Sequence, residues 1–471
     1  MRETFKKIVE TAFSMASVCL VLALAPVQAH AAELIWDNGS GDSLWNTTST
    51  NWSGTATWSN SVPDNATFTA TGAGAVSLGE AITAGTVGIT AGTYTFSGSG
   101  LTVTNGILNV TSTGNVTFNN VIAGNGSLSH TAASGTLLLP ANNTFTGGVY
   151  KAGGSTLRTS ANNCLGTGPV VVNDGWLGNP DGTVTIPNDI TLTGTGGLQA
   201  NVNRQLFLSG NVYLNNDGVN IAPGGPNSRI VRFLGILNGT ASYVNIGRGY
   251  TEIASSCTVN YGGRFNLMGS LGCYFDIGNG INLANEIRVT AASIIGMQSP
   301  GSAEFSGNID LRVDGDGSFD IQAVAGQTIT CSGVIFEDGN GPGVDITGAG
   351  TVILTGANTY PTRTDVQAGS LLINGDNSAA AGAVNVQTNA TLGGIGSIGG
   401  NVVVNNGGVH SPGSNGVGVQ NCLAAVSYNT GSKVFWQLGA NSATNRGTAF
   451  AGIDVGENLS FDTAVALELR F

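Results

Sequence analysis

The sequence predicts an all-β chain wound as a right-handed, single-stranded parallel β-helix, a solenoid preceded by an N-terminal signal-peptide helix. Three observations carry that reading: composition, short alternating strands, and a repeat at long range. Gly supplies 73 of 471 residues and charged residues only 9%, about twice and about a third of the ordinary shares. The hydrophobic fraction of 41% is still enough to build a core. Asn, Thr, Ser and Gly must then cover the surface, which suits turns and strand faces rather than helices. At this length a single compact core is improbable, whereas a solenoid grows lengthwise because each coil packs only on its neighbours.

Residues 1–31 read as a signal peptide. Arg2, Lys6 and Lys7 form a positive start, Ala12 to Ala25 an apolar run, and Pro26 breaks it. Ala29-His30-Ala31 is the small-x-small pattern expected before cleavage, which is placed after Ala31, with Ala32 the next candidate. The run falls short of the ~20 residues of a membrane span, and no transmembrane helix is expected in the mature chain. The formal net charge is −12; losing Arg2, Lys6 and Lys7 with Glu3 and Glu10 brings it near −13. Lys151 and Lys433 are the mature lysines. A phosphate backbone needs clustered cations, so nucleic acid is excluded as a partner.

Residues 32–125 read as an N-terminal cap and the first coils. Trp36, Trp45, Trp52 and Trp58 crowd this end. They are expected to cover the open end of the solenoid, whose edges would otherwise stay unpaired; a carbohydrate-stacking platform is the other reading. Strands of three to five residues follow, such as Tyr94-Thr95-Phe96, Leu101-Thr102-Val103 and Asn115-Val116-Thr117-Phe118, each ended by a turn signal such as Ser99-Gly100, Asn105-Gly106 or Thr113-Gly114. Strands this short make a feeble meander, but a coil pairs each of them with the coil above and below. No apolar run of helical period follows the signal.

Residues 126–430 carry the repeat. Gly135-Thr136-Leu137-Leu138-Leu139, Asn143-Thr144-Phe145 and Lys151-Ala152-Gly153 return as Gly350-Thr351-Val352-Ile353-Leu354, Asn358-Thr359-Tyr360 and Gln367-Ala368-Gly369. Each copy runs on into Ser155-Thr156-Leu157 or Ser370-Leu371-Leu372-Ile373. The pattern is strand, Asn-Thr-aromatic turn, strand, Ala-Gly turn, strand, with Gly free to take positive φ. It resembles the autotransporter-associated β-strand repeat of bacterial passenger domains. Pro361-Thr362 departs from the usual Thr-Gly, which the first copy keeps as Thr146-Gly147. Leu392 to Gly400 and His410-Ser411-Pro412-Gly413 are similar to the strand and turn that follow in the family. The resemblance implies a β-helix with coils of about 20 residues and a place at the cell surface, associated with the outer membrane or extracellular. Residues 431–471 read as C-terminal coils. Passengers are normally followed by a membrane barrel of at least eight strands, which this segment does not supply, so the chain is expected to be cut short or exported by another route.

Chemistry is sparse. The five mature cysteines, Cys164, Cys257, Cys273, Cys331 and Cys422, form no metal or disulfide framework. Cys257 and Cys273 are one coil apart, leaving a bridge and buried free thiols both open. His130 reads as a turn or strand-face residue, and His410 as a turn residue. The acidic run Asp310 to Asp320 reads as solvated turn carboxylates; Asp314, Asp316 and Asp320 are the candidates for a metal, without the closing Glu of a calcium loop. Glu337-Asp338 with Asp345 is a second, thinner acidic group. No catalytic residue and no cofactor site is recognised. The expected function is an exported surface or matrix scaffold, adhesin-like and non-catalytic, with glycans or cell-surface and matrix proteins as partners. The alternative is a β-helix polysaccharide lyase or glycoside hydrolase, which would need Asp310–Asp320 to converge with Arg288 or Arg312 in one groove.

Overall fold

The computed structural model describes residues 31–471 except 180–181, 201–202, 223, 225–228, 270–271, 313–317, 338–340 and 415. The signal sequence, apart from Ala31, therefore lies outside the described residues, as do Asp314, Asp316 and Asp338. The described residues form 54 strands in six sheets, with no helix. Each strand pairs in parallel with the strand one coil away. Register partners stand from 18 residues apart, as in Val384 and Val402, to 33, as in Leu44 and Ser77. This is a parallel β-solenoid, the fold class read from composition and repeats. The middle of the chain keeps the same parallel pairing as the repeats, for example across Gly249–Ile253, Cys273–Ile277 and Ser293–Met297.

Alternation explains the core. In Thr351–Leu354, Val352 and Leu354 are buried while Thr351 and Ile353 are partly exposed, the period-two pattern of a strand with one face inside. Inward positions stack coil on coil into one continuous core from Leu34 to Val434. Four tryptophans close its N-terminal end. Trp36, Trp45 and Trp52 have no exposed surface and Trp58 only 2%, and their rings meet edge to face or tilted at 5.0–5.4 Å. They are too buried to stack a sugar.

The two repeat copies are built alike. Asn143 is buried; its Oδ1 accepts from the Ile122 amide at 2.8 Å and its Nδ2 donates to the Cys164 carbonyl at 2.6 Å. Asn358 is equally buried, accepting from the Ile335 amide at 2.7 Å and donating to Asn377 Oδ1 at 3.0 Å. Each asparagine thus clamps three coils at a turn that has no strand ladder of its own. The aromatic two residues on, Phe145 or Tyr360, plugs the core beneath. Gly153 and Gly369, in the Ala-Gly turns, take φ of +71° and +66°. A Cβ there would lie 2.3 Å from the Ala132 carbonyl and 2.5 Å from that of Gly350, so only glycine fits. The copies are not in phase, however. The leucine strand of the first, Thr136–Leu139, belongs to the fourteen-stranded sheet, and the asparagine turn of the second stacks on the last strand of that same sheet, Ile335–Glu337. The module can start on either face of the solenoid.

All five described cysteines are free and buried. Cys273 opens a strand whose register neighbours are Gly249 and Ser293, while Cys257 sits at the turn before Thr258–Val259. Different corners of the coil therefore hold the two thiols, and they do not bridge.

Candidate functional site

The outward side of the thirteen-stranded sheet carries two polar rows. One runs in direct register through Ile230, Tyr250, Tyr274, Ile294, Asp320, Asp345, Asp365 and Asn385. The other runs through Phe207, Arg232, Glu252, Asp276, Gly296 and Gln322. Outward residues two apart on one strand fall into neighbouring rows, and coils ~4.8 Å apart bring like residues into contact.

Tyr250 and Tyr274 stack with ring centroids 4.2 Å apart. Burial, with Tyr274 and Asp276 adding, pushes the Tyr250 hydroxyl up to about 12. Beside them the Arg232 guanidinium lies over the Phe207 ring at 4.5 Å, and its Nε donates to Glu252 at 2.6 Å. Glu252 and Asp276 are 5% and 6% exposed although they face outward. Burial pushes the Asp276 carboxyl up to about 6, opposed by a hydrogen bond from Gln298 and reinforced by Glu252. Gly296 leaves room for that carboxyl, since a Cβ there would lie 2.6 Å from Asp276 Oδ1.

Farther along, Asp320, Asp345 and Asp365 stack on three successive strands. Arg363 reaches two of them, Asp345 at 3.2 Å and Asp365 at 3.1 Å. Burial raises the pKa of Asp320 and Asp345, with Arg363 opposing for Asp345. Of the three metal candidates only Asp320 lies among the described residues. Among those residues, no group of three or more His, Cys, Asp or Glu is placed to hold a metal ion.

Asp310 is not on this face. It belongs to Ile309–Leu311 in the fourteen-stranded sheet, while Asp320 belongs to Phe319–Gln322 in the thirteen-stranded one. Asp310 is 1% exposed and accepts from Arg288 Nε at 2.9 Å and Arg312 Nε at 2.7 Å. Arg264 and Arg288 continue the network through Glu286 at 3.5 and 3.7 Å. These charges neutralise one another inside a ladder, and Asp310, Asp320 and the arginines do not converge in a groove. Glu337 and Asp345 are likewise on different sheets.

Both histidines among the described residues, His130 and His410, are core residues. His130 faces inward on Ser127–His130, in register with Lys151, and both are buried. Lys151 Nζ donates to the carbonyls of Ala152 and Gly153 at 2.7 Å and of Asp174 at 3.1 Å. Burial lowers the Lys151 ammonium to about 8, opposed by Asp174, and burial with Lys151 lowers His130 to about 3. Nothing in the sequence marked Lys151 as internal. His410 corrects an expectation: it lies not in a turn but on Val409–Pro412. Its Nε2 donates to Gln420 Oε1 at 2.9 Å and its Nδ1 accepts from Tyr428 Oη at 2.8 Å. Pro412 and Gly413 suggest a turn there, but Pro412 ends the strand.

Among curated proteins, a stretch of 70 residues is 51% identical to the Adhesin BmaC autotransporter of Brucella suis biovar 1 (strain 1330), covering 15% of this chain and 2% of that protein. The shared stretch is thus a small fraction of that relative's length. No protein-family model and no solved structure matches. The likeness to autotransporter passengers read from the repeats is met both by the parallel solenoid and by this relative.

Proposed function

We propose that the chain is an exported, adhesin-like β-helix passenger, a non-catalytic scaffold at the cell surface or in the extracellular matrix. The observation that carries this reading is the pair of outward polar rows, repeated coil after coil on a rigid core. Such rows offer many similar weak contacts in a line, and linked weak contacts gain strength by effective concentration rather than by one deep pocket. The adhesin named among the relatives supports the same class, as does the placement of Asp320 on a different sheet from Asp310, whose carboxylate is taken up by Arg288 and Arg312. Glycans or matrix proteins are the partners, met by the stacked, partly exposed Tyr250 and Tyr274 with Arg232 beside them.

The test is antibody labelling of intact producing cells before and after protease shaving, alongside binding of the purified chain to immobilised glycans and matrix proteins. Protease-sensitive surface signal and binding that weakens in the Tyr250→Ala/Tyr274→Ala variant are expected. Signal confined to the periplasm would overturn the surface reading.

A further inference from the structure

The eleven-stranded sheet, a different face from the two polar rows, has a trough on its outward side. Two register rows form it. One runs through Ile107, Ser127, Gly148 and Pro169. Ile107 and Ser127 are direct partners, and the Leu128 and Val149 amides donate to the Gly148 and Pro169 carbonyls at 3.0 and 2.8 Å. The other row runs through Ser129, Tyr150 and Val171. Small residues in the middle of the first row and larger ones at its ends leave a hollow ~14 Å long, the rise of three coils. Its volume is about 420 Å³. Gly148 keeps the floor low: it takes φ of +83°, and a Cβ there would lie 2.7 Å from the Pro169 carbonyl. Tyr150, 44% exposed, forms the wall.

We propose that this trough binds an uncharged saccharide. Among the described residues, none that lines it is charged, so nothing there would pair with a phosphate, a sulfate or a carboxylate. The strands beneath it, Ser127–His130 and Val149–Lys151, are paired on both sides, and an extended peptide finds no free edge to join. What the trough offers is an aromatic ring with hydroxyls around it, since Ser127, Ser129 and Tyr150 can each donate and accept. A pyranose matches both parts. Its C–H face suits the negative face of the ring, and its rim of hydroxyls suits the serines. An apolar lining with a few polar groups, at this volume, is the ordinary form of a small-ligand site. The repeat module alone does not make the trough. In the second copy Thr364–Val366 and Val384–Val386 turn Asp365 and Asn385 outward, and Arg363 lies across Gly343 to reach Asp345 and Asp365. The proposal rests on the functional reading for the presence of glycans around the chain, but its site is a separate face.

The experiment is saturation-transfer NMR of the purified full chain with glucose, galactose, mannose, N-acetylglucosamine and lactose, and with glucuronic acid as the charged comparison. It is repeated on Tyr150→Ala, on Ser127→Leu, which fills the floor, and on Tyr213→Ala, with circular dichroism confirming each fold. Tyr213 lies farther along the Tyr150 row and outside the trough. At least one neutral sugar is expected to bind the parent, about tenfold or more weaker in both trough variants and unchanged in Tyr213→Ala. No binding of a neutral sugar, a preference for glucuronic acid, or binding kept in either trough variant would each overturn the proposal. Binding lost in Tyr250→Ala/Tyr274→Ala but kept in the trough variants would overturn this site and leave the functional reading standing. A periplasmic signal in the labelling experiment would overturn that reading and leave sugar binding in the trough untouched.

Discussion

Glu252 and Asp276 lie in direct register on adjacent strands, both facing outward and both almost fully buried, with Arg232 bonded to Glu252. The pair places two acids one coil apart with Arg232 one coil before Glu252, so a proton on Asp276 relieves both burial and repulsion.

A pH dependence of known sign follows. The folded pKa of Asp276, about 6, stands above its ordinary 3.8. Its favourable contribution is therefore full below pH ~3.8 and is lost as pH rises through ~6, a span worth about 3 kcal/mol. Asp276→Asn is expected to unfold at higher denaturant than the parent at pH 7, with the difference vanishing near pH 3.5. Equilibrium unfolding across that range checks it.

His410 works in the opposite sense. Burial lowers its imidazole from 6.5 to about 4, against a hydrogen bond to Gln420 that raises it. Its contribution is present above pH ~6.5 and lost as pH falls through ~4, again about 3 kcal/mol. His410→Ala should lose that slope. It should also cost about 3 kcal/mol at pH 7, from the cavity and from unpairing Gln420 and Tyr428. Hydrogen exchange of Val419–Cys422 and Val426–Tyr428 is the local readout.

The asparagine clamps should be equivalent despite lying on different faces. Asn143→Ala and Asn358→Ala each strand a buried amide on one side and break a bond on the other, at about 2 kcal/mol or more. Asn→Asp at either site should be no better, since a carboxylate keeps the acceptor and loses the donor. Faster exchange confined to the coils next to each turn is expected, because each coil leans only on its neighbours.

The cap makes the N-terminal coils depend on Trp52, which meets Trp36, Trp45, Trp58 and Phe68. Trp52→Ala should cost about 4 kcal/mol. Limited proteolysis should then cut first between residues 32 and 90 and leave the C-terminal coils intact.

Much of this fold was legible because its signals are local. Alternation in runs such as Val352 to Leu354, glycine where φ is positive at Gly153 and Gly369, and a repeated asparagine turn each declare themselves within a few residues. The outward rows were not legible. Which residues stand side by side depends on the summed lengths of the intervening turns, so Glu252 and Asp276 are neighbours though 24 apart. Asp310 and Asp320, ten apart, read as one cluster and lie on different sheets. Burial of Lys151 was hidden for a related reason: its partners are backbone carbonyls, which leave no mark in side-chain composition.

In every sheet the ladder bonds join one coil to the next. A load applied between the two ends therefore stretches those bonds a coil at a time instead of shearing many together. Each coil that peels away would release its 18 to 33 residues, or roughly 60–110 Å of extended chain. Pulled from its ends, the molecule would yield in steps and absorb work at each one, behaving less as a stiff strut than as a tether with slack held in reserve.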